Sequence, residues 1–147
     1  DQTQGLNTTG AVGLTAFQMR GQWYLAVASN FNGNSYNIPS PIFHWDQAST
    51  SFAFFQQLDT HGADAWEFFE VDGASFLAVA NYYTANEVFR FNCVADRFDS
   101  ALTLPTAGGE ALRHFVIAGT HYLAAANFET ATSPLYTMSA NVTSPAV

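Results

Sequence analysis

The chain carries the segment Gly73-Ala-Ser-Phe-Leu-Ala-Val-Ala80 in three versions, the others being Gly21-Gln-Trp-Tyr-Leu-Ala-Val-Ala28 and Gly119-Thr-His-Tyr-Leu-Ala-Ala-Ala126. The copies start 52 and 46 residues apart, and each reads Gly-x-x-aromatic-Leu-Ala-apolar-Ala. An asparagine follows each copy, namely Asn30, Asn81 and Asn127. Self-similarity of this kind indicates a repeat architecture, in which each unit buries its apolar faces only by stacking on its neighbours.

Residues upstream of these segments keep the same spacing. A phenylalanine lies four residues before each initial glycine, at Phe17, Phe69 and Phe115. Each unit also begins with a glycine, at Gly10, Gly62 and Gly108. We therefore expect one domain over residues 1–147, with units at about 10–61, 62–107 and 108–147, preceded by residues 1–9.

The second unit shows the strand pattern most clearly. Residues 65–71 alternate and end in Asp72-Gly73, a strong hairpin signal because glycine tolerates positive φ. Residues 75–81 are almost continuously apolar, which is typical of a strand packed on both faces. Further strands are predicted at 87–91 and 97–104, and the third unit offers 135–138 without a clear fourth strand. The sequence predicts an all-β fold of β-propeller blades, as three four-stranded antiparallel units.

The N-terminal segment has its own prediction. Leu6, Leu58 and Leu104 lie 52 and 46 residues apart, so residues 1–9 align with the fourth strands of the first two units. We expect residues 1–9 to form the outer strand of a blade whose other strands come from elsewhere. Such an offset protects sheet edges that otherwise aggregate.

Composition excludes several classes of function. Hydrophobic residues make up 48% of the chain and charged residues 11%, which favours a packed β structure over disorder. The net charge is −8, and the cationic residues are four arginines without any lysine, so we expect no nucleic-acid binding. The longest apolar runs fall far short of the roughly 20 residues of a membrane-spanning helix, so we expect no membrane insertion. Neutral, cationic or calcium-bridged partners fit this charge.

Cysteine usage and sequons bear on the compartment. Cys93 is the single cysteine, and its place in the alternation of Val88, Phe89 and Phe91 predicts a buried thiol, with an intermolecular bridge as the alternative. The sequons Asn7-Thr-Thr and Asn141-Val-Thr predict glycosylation at these asparagines and are compatible with export. Because the chain starts at Asp1 without a signal peptide, we expect a processed or trimmed segment of a longer protein.

Two stretches carry a family resemblance: Thr60-His-Gly-Ala-Asp-Ala-Trp-Glu-Phe-Phe69, followed by Gly73 and Leu77-Ala-Val-Ala-Asn81, and Ser40-Pro-Ile-Phe-His-Trp45, followed by Phe52 and Phe55-Gln56. They resemble the EAR repeat, also called the EPTP or epitempin repeat. The resemblance implies an extracellular seven-bladed β-propeller that acts in protein–protein recognition. The third unit departs from the pattern, with Glu110-Ala-Leu-Arg113 in place of Asp64-Ala-Trp-Glu67.

Three units are too few to close such a ring, because propellers typically have about four to eight blades. Either the remaining blades lie in further sequence, or copies of the chain associate as a dimer, a larger ring or a filament.

Three carboxylates are candidate metal ligands. Asp64, Glu67 and Glu110 lie at the entry to the first strand of their units, which lines the axis of a propeller. Converging carboxylates could hold Ca²⁺ through their oxygen atoms. The resemblance also implies an axial metal in some members. The alternative is that these are solvated turn and capping residues, and Val12 at the matching place of the first unit offers no ligand.

A candidate binding surface combines Trp23, Asn81, Tyr82 and Tyr83 with the loop at 31–40. Trp23 stands where the other units have Ser75 and His121, which favours exposure, whereas Trp45 and Trp66 are expected in the core. Exposed aromatic rings serve protein recognition and also stack on sugars. Core packing of each ring is the alternative.

No catalytic constellation is present in the sequence. The histidines show no metal-ligand spacing, and no serine lies on a nucleophile elbow, so we expect that the protein is not an enzyme. The sequence thus favours an extracellular protein-interaction or structural assembly module. A lectin-like glycan-binding protein is the alternative.

Overall fold

The computed structural model describes residues 1–141, and in this range the chain forms eleven β-strands and no helix. The strands are β1 (Ala11–Met19), β2 (Gln22–Ser29), β3 (Ser40–Asp46), β4 (Ser51–Leu58), β5 (Ala63–Val71), β6 (Ala74–Asn81), β7 (Asn86–Asn92), β8 (Arg97–Leu104), β9 (Gly109–Ile117), β10 (Thr120–Asn127) and β11 (Leu135–Met138). None of the described residues belongs to a helix long and apolar enough to cross a membrane.

The strands form three antiparallel sheets, one from each predicted unit. Strands β1–β4 form the first sheet and β5–β8 the second, each in sequential order, and β9–β11 form the third. The predicted all-β fold of blade-like units is confirmed. The strands predicted at 97–104 and 135–138 match β8 and β11, and within the described residues the third sheet has three strands.

The strand register shows that the units are structural copies. Leu25, Leu77 and Leu123 occupy the same place in their second strands, opposite Ala16, Phe68 and His114. Each first hairpin turns through two residues of positive φ, and the second is a glycine, with φ of 74° at Gly21, 81° at Gly73 and 79° at Gly119. Such values suit the tight turn that matches strand twist, and glycine adopts them without strain.

The same register corrects one equivalence drawn from the sequence. Ser29 pairs with Ala11 as Asn81 pairs with Ala63, so Ser29 is the structural counterpart of Asn81. Asn30 instead matches Tyr82, one residue further along. The repeat alignment equated Asn30 with Asn81 because both are asparagines. The two residues are not the same number of positions from Gly21 and Gly73.

Two layers of apolar side chains hold the sheets together. The layer between the first and second sheets includes Phe17, Tyr24 and Trp66, and the indole N–H of Trp66 donates a hydrogen bond to the carbonyl of Val27 across the interface, at 2.9 Å. The layer between the second and third sheets includes Phe69, Phe76 and Leu123. Each sheet therefore buries its faces mainly against its neighbours, as expected for stacked repeats.

The N-terminal segment lies along the first sheet without forming the predicted strand, since residues 1–8 have no regular secondary structure. Gln4 nevertheless bonds to both backbone groups of Phe52, accepting from its N–H at 2.8 Å and donating to its carbonyl at 2.7 Å. A strand needs a neighbouring strand for its backbone hydrogen bonds. The first sheet consists of β1 to β4 and does not pair with the N-terminal segment.

Cys93 is exposed, so the predicted buried thiol is wrong. Strand β7 ends at Asn92, and Cys93 follows in the turn before β8. The alternation of apolar residues thus stops one position before the cysteine.

Candidate functional site

Five aromatic side chains form a continuous row across the ends of the three sheets. In order they are Phe31, Tyr36, Tyr83, Tyr82 and Phe128, and this set is called the aromatic row below. Successive ring centroids lie 4.5, 4.1, 5.0 and 6.2 Å apart. The rings are accessible at both ends of the row and at its centre, with Phe31 38%, Tyr83 53% and Phe128 72% exposed. Such a row of contacting, solvent-exposed rings is a candidate recognition surface.

The repeat itself places the row. The loops at 30–39, 82–85 and 128–134 all follow the second strand of a sheet, so they emerge at the same end of the stack. This end is called the loop end. The backbone N–H groups of Asn30, Tyr82 and Phe128 each donate to a unit-starting glycine carbonyl, at 2.7 to 2.9 Å. Equivalent backbone geometry thus presents a side chain from each unit at one end.

Close packing on Gly62 fixes the centre of the row. Gly62 has φ of 65°, and a Cβ atom there would lie 2.6 Å from the ring of Tyr83. Its N–H donates to the carbonyl of Tyr36 at 2.7 Å, and the N–H of Tyr83 donates to the carbonyl of His61 at 3.2 Å. The loop of the first sheet and the loop of the second sheet are therefore joined through residues 61 and 62.

Two tyrosines of the row have shifted acidities. A side-chain hydrogen bond with Tyr36, followed by burial, raises the pKa of Tyr83 to about 12. Burial and then the charges of Glu129, Glu110 and Asp64 raise the pKa of Tyr82. Negative charge disfavours a second anion nearby. Asp64 and Glu110 lie at the starts of β5 and β9, and Glu129 directly follows Phe128, so the three carboxylates lie at the loop end with the row.

The structure separates the residues predicted for the binding surface. Tyr82 and Tyr83 belong to the row, and Trp23 is 48% exposed but lies beside Glu67 and Arg113, away from the row. Asn81 is fully buried, so its place on the surface is wrong. Its side chain accepts from the N–H of His61 and donates to the carbonyl of Ala85, which shapes the loop from inside.

Sequence reasoning missed Phe128, and it included the loop at 31–40 without singling out Phe31 and Tyr36 in it. Phe128 matches Tyr82 and Phe31 matches Tyr83 once the strands are aligned by register. An aromatic residue one or two positions after the second strand was therefore the available signal. Tyr36 lies in the longer loop of the first unit and has no counterpart that could have pointed to it.

The predicted metal ligands do not assemble as a set of three. Asp64 accepts a hydrogen bond from Asn30 at 2.7 Å, and the charge of Glu110, after burial, raises the pKa of Asp64. Glu67 instead pairs with Arg113 at 3.1 Å and accepts from the N–H of His114 at 2.8 Å. Residues 1–141 contain no group of three or more His, Cys, Asp or Glu side chains that could hold one metal ion.

Val12, Asp64 and Glu110 are each the extra residue of a β-bulge at the start of a first strand. A bulge leaves one residue unpaired and redirects its side chain. The equivalence of these three positions was predicted from the sequence, and in the second and third sheets the bulged residue is a carboxylate.

Two histidines of the third sheet form a pair that the sequence did not indicate. The Nε2 atom of His114 lies 2.9 Å from Nδ1 of His121, and the ring of His114 stacks on Phe69 of the second sheet. Burial, followed by the charge of His121, lowers the pKa of His114. Spacing along the chain hides this contact because the two residues lie diagonally across adjacent strands.

Both sequons begin at exposed asparagines. Asn7 lies in the N-terminal segment, and Asn141 is the last described residue, while the rest of its sequon lies outside the described range. Glycosylation at Asn7 and Asn141 stays a prediction.

Comparison with known proteins agrees with this architecture. A family model for the EPTP domain matches residues 2–46 and 51–91, which together make up more than half of the chain. The human thrombospondin-type laminin G domain and EAR repeat-containing protein is 41% identical over 80 residues, and the mouse protein of the same name is 39% identical over 80 residues. Each match covers 54% of this chain but only 12% of the relative. Three sheets in repeat register, with a family match across the first sheet and most of the second, show that this chain belongs to the EPTP domain family of EAR repeats.

Proposed function

We propose that this chain is an extracellular protein-interaction module that recognises another protein through the aromatic row. The observation that carries the proposal is the row itself, because rings from three sheets make contact in sequence while their outer members remain exposed. Tyrosine and other aromatic side chains supply much of the energy at protein interfaces, since they are large and lose little conformational freedom. Family membership also supports a role in protein interaction, because EAR repeats form a repeat domain that is associated with protein interactions.

The extracellular part of the proposal has separate support. The relatives are named for a thrombospondin-type laminin G domain beside their EAR repeats. The exposed Asn7 sequon fits a chain that passes through the secretory route. Detection of a glycan on Asn7 by mass spectrometry of the protein secreted from animal cells tests this point.

We also propose that the outer face of the third sheet is covered by another sheet, and that for this 147-residue chain a second copy supplies it. Phe115 is 37%, Ile117 59% and Leu135 56% exposed. The residues at the same places in the first two sheets are almost completely buried, namely Phe17, Met19, Ile42, Phe69, Val71 and Val88. An apolar face that is buried in two copies and open in the third indicates a missing partner.

A glycan is the other ligand class that exposed rings suit. No contact among the described residues favours a sugar over a protein, so glycan binding is treated as one possible result of the experiment. A glycan array probed with the wild-type chain separates the two classes: binding to sugars that is lost with the row would replace the protein partner.

The test of the proposed function uses two matched variants. Phe128→Ser removes an exposed ring from the row, and Phe54→Ser removes a ring of similar exposure, 60%, from the first sheet away from the row. Both are screened, with wild type, against a panel of secreted and cell-surface ectodomains. The proposal expects a partner that binds wild type and Phe54→Ser and binds Phe128→Ser at least several-fold more weakly. A partner that binds all three alike would place recognition elsewhere.

A further inference from the structure

Carboxylates at the loop end of the sheets lack nearby arginines among the described residues, whereas carboxylates at the opposite end have them. Five carboxylates lie at the loop end, at the ends of β4 and β10 or the starts of β5, β7 and β9: Asp59, Asp64, Glu87, Glu110 and Glu129. The four arginines lie in the opposite turns or within strands: Arg20, Arg90, Arg97 and Arg113. The uneven distribution gives the loop end a negative potential that attracts cations.

Three of these carboxylates lie beside the aromatic row, and within residues 1–141 none of them has an arginine partner. Glu129 directly follows Phe128, and its Cγ atom lies 2.8 Å from where a Cβ on Gly108 would be. Asp64 accepts a hydrogen bond from Asn30, the neighbour of Phe31, at 2.7 Å. Glu110 lies two residues after Gly108, whose N–H donates to the carbonyl of Tyr82 at 3.2 Å. The ion pairs among the described residues are Arg20 with Asp96, Arg97 with Asp99 and Arg113 with Glu67. None of these pairs involves a carboxylate beside the row.

Rings and carboxylates together suit a cationic side chain. The face of a Tyr or Phe ring attracts a cation, and a planar guanidinium also stacks on the ring. A neighbouring carboxylate adds Coulomb attraction and offers two oxygen atoms to the guanidinium. A surface that lacks its own cations has these interactions available for a partner.

The spacing of the row suits an extended chain. The ring centroids of Tyr83, Tyr82 and Phe128 lie 5.0 and 6.2 Å apart in turn. In an extended strand, alternate side chains on one face are about 6.6 Å apart, since each residue advances roughly 3.3 Å. Every second side chain of an extended segment can therefore reach a successive ring or the carboxylate beside it.

We propose that the aromatic row, together with Asp64, Glu110 and Glu129, binds an extended basic segment of a protein partner, with arginine or lysine side chains stacked on Tyr82, Tyr83 and Phe128. The inference rests on the proposed function, because it assigns a chemical class to the partner of the same surface. It specifies the charge of the bound segment, which the row alone leaves open.

The test measures binding of a synthetic twelve-residue probe, an alternating Arg-Ser peptide with a fluorescent label, to the full 147-residue chain by fluorescence anisotropy. The control peptide carries citrulline, which keeps the shape of arginine without its charge. We expect the Arg peptide to bind at least about ten-fold more tightly at low salt, and its affinity to fall as salt rises.

Variants separate the surface from the overall charge of the protein. Glu110→Gln combined with Glu129→Gln removes two charges beside the row, whereas Glu70→Gln combined with Asp96→Asn removes two charges at the opposite end. We expect the first pair to weaken binding of the Arg peptide at least about five-fold more than the second, and Phe128→Ser to weaken it more than Phe54→Ser. Circular dichroism checks that each variant is folded.

Three results would overturn the inference: equal loss with the two charge pairs, equal binding of the arginine and citrulline peptides, or no binding of the Arg peptide by the wild-type chain. The proposed function survives any of them if an ectodomain still discriminates Phe128→Ser from Phe54→Ser. Failure of that discrimination removes the proposed function itself, so the two failures are distinguishable.

Discussion

The side-chain amide of Gln56 spans two sheets and bonds to both backbone groups of Phe98. It accepts from the N–H of Phe98 at 2.8 Å and donates to its carbonyl at 2.9 Å. Gln4 makes the same two bonds to Phe52, one repeat earlier. The N-terminal segment therefore stands in for the outer strand of a preceding sheet, even though it is not a strand.

Replacing Gln56 by Ala leaves two backbone groups of Phe98 without their partner. We expect Gln56→Ala to lower the free energy of unfolding by about 1–2 kcal/mol, since the two groups are partly buried. Urea unfolding measures this change. Gln57→Ala, at the next and exposed position, serves as the control and is expected to change stability by less than about 0.5 kcal/mol. Equal losses in both variants would show that the bridge contributes nothing.

Tyr83 is expected to titrate at unusually high pH. Its pKa of about 12 lies above the ordinary value of 10.0, so its contribution to folding stability is complete below pH 10 and is lost as the pH rises through about 12. Tyr36→Phe removes the hydroxyl that is the largest cause of the shift, and we expect the pKa of Tyr83 to move down toward 10. Site-resolved NMR titration of tyrosine ring carbons reports this value. Tyr136→Phe, away from the row, should leave it unchanged.

The histidine pair makes stability depend on pH in the opposite direction. The pKa of His114 is lowered by burial and by His121, so its contribution to stability is present above the unfolded value of about 6.5 and is lost as the pH falls through the lower folded value. Phe68 occupies the place of His114 in the second sheet, so His114→Phe is a conservative replacement. We expect this variant to flatten the fall in melting temperature between about pH 7 and pH 5. An unchanged slope would contradict the role of the pair.

Self-association is expected to depend on one face of β9. Ile117→Glu places a charge on the open apolar face, and Val116→Glu places the same charge on the adjacent residue, whose counterpart in the second sheet is Glu70. Analytical ultracentrifugation of the 147-residue chain should show association for wild type and Val116→Glu, and loss of it for Ile117→Glu. A wild-type monomer of 16.0 kDa at all concentrations would contradict the second-copy proposal.

The sequence was sufficient to predict the repeat and most strands. A position that is buried in each unit keeps its residue type, as the leucine at Leu77 does, and such positions reveal the repeat. Loop conformation carries no such constraint. Asn81 is polar and ends a strand, which fits a surface residue, yet its amide bonds to partly buried backbone groups of His61 and Ala85 instead. Cys93 continued an apolar alternation that ended where the chain turned.

Contacts between units were the hardest to predict. The ring contact between Tyr36 and Tyr83 joins loops 47 residues apart, and nothing in either loop alone indicates it. Glu67 lies near Asp64 in sequence, but successive residues of a strand face opposite ways. Glu67 therefore forms its ion pair with Arg113 of the third sheet. The position of a side chain at a sheet boundary depends on the neighbouring unit as much as on its own.

The aromatic row is tested most directly by proton–proton NOEs between its rings in the wild-type chain. At a centroid distance of 4.1 Å, Tyr36 and Tyr83 should give strong cross-peaks, with weaker ones between Tyr82 and Phe128 at 6.2 Å. The contact of the Trp66 indole N–H with the backbone at Val27 serves as the internal reference for a folded interface between sheets. Loss of the Tyr36–Tyr83 cross-peaks while that reference persists would mean that the loops do not meet and that no continuous row exists.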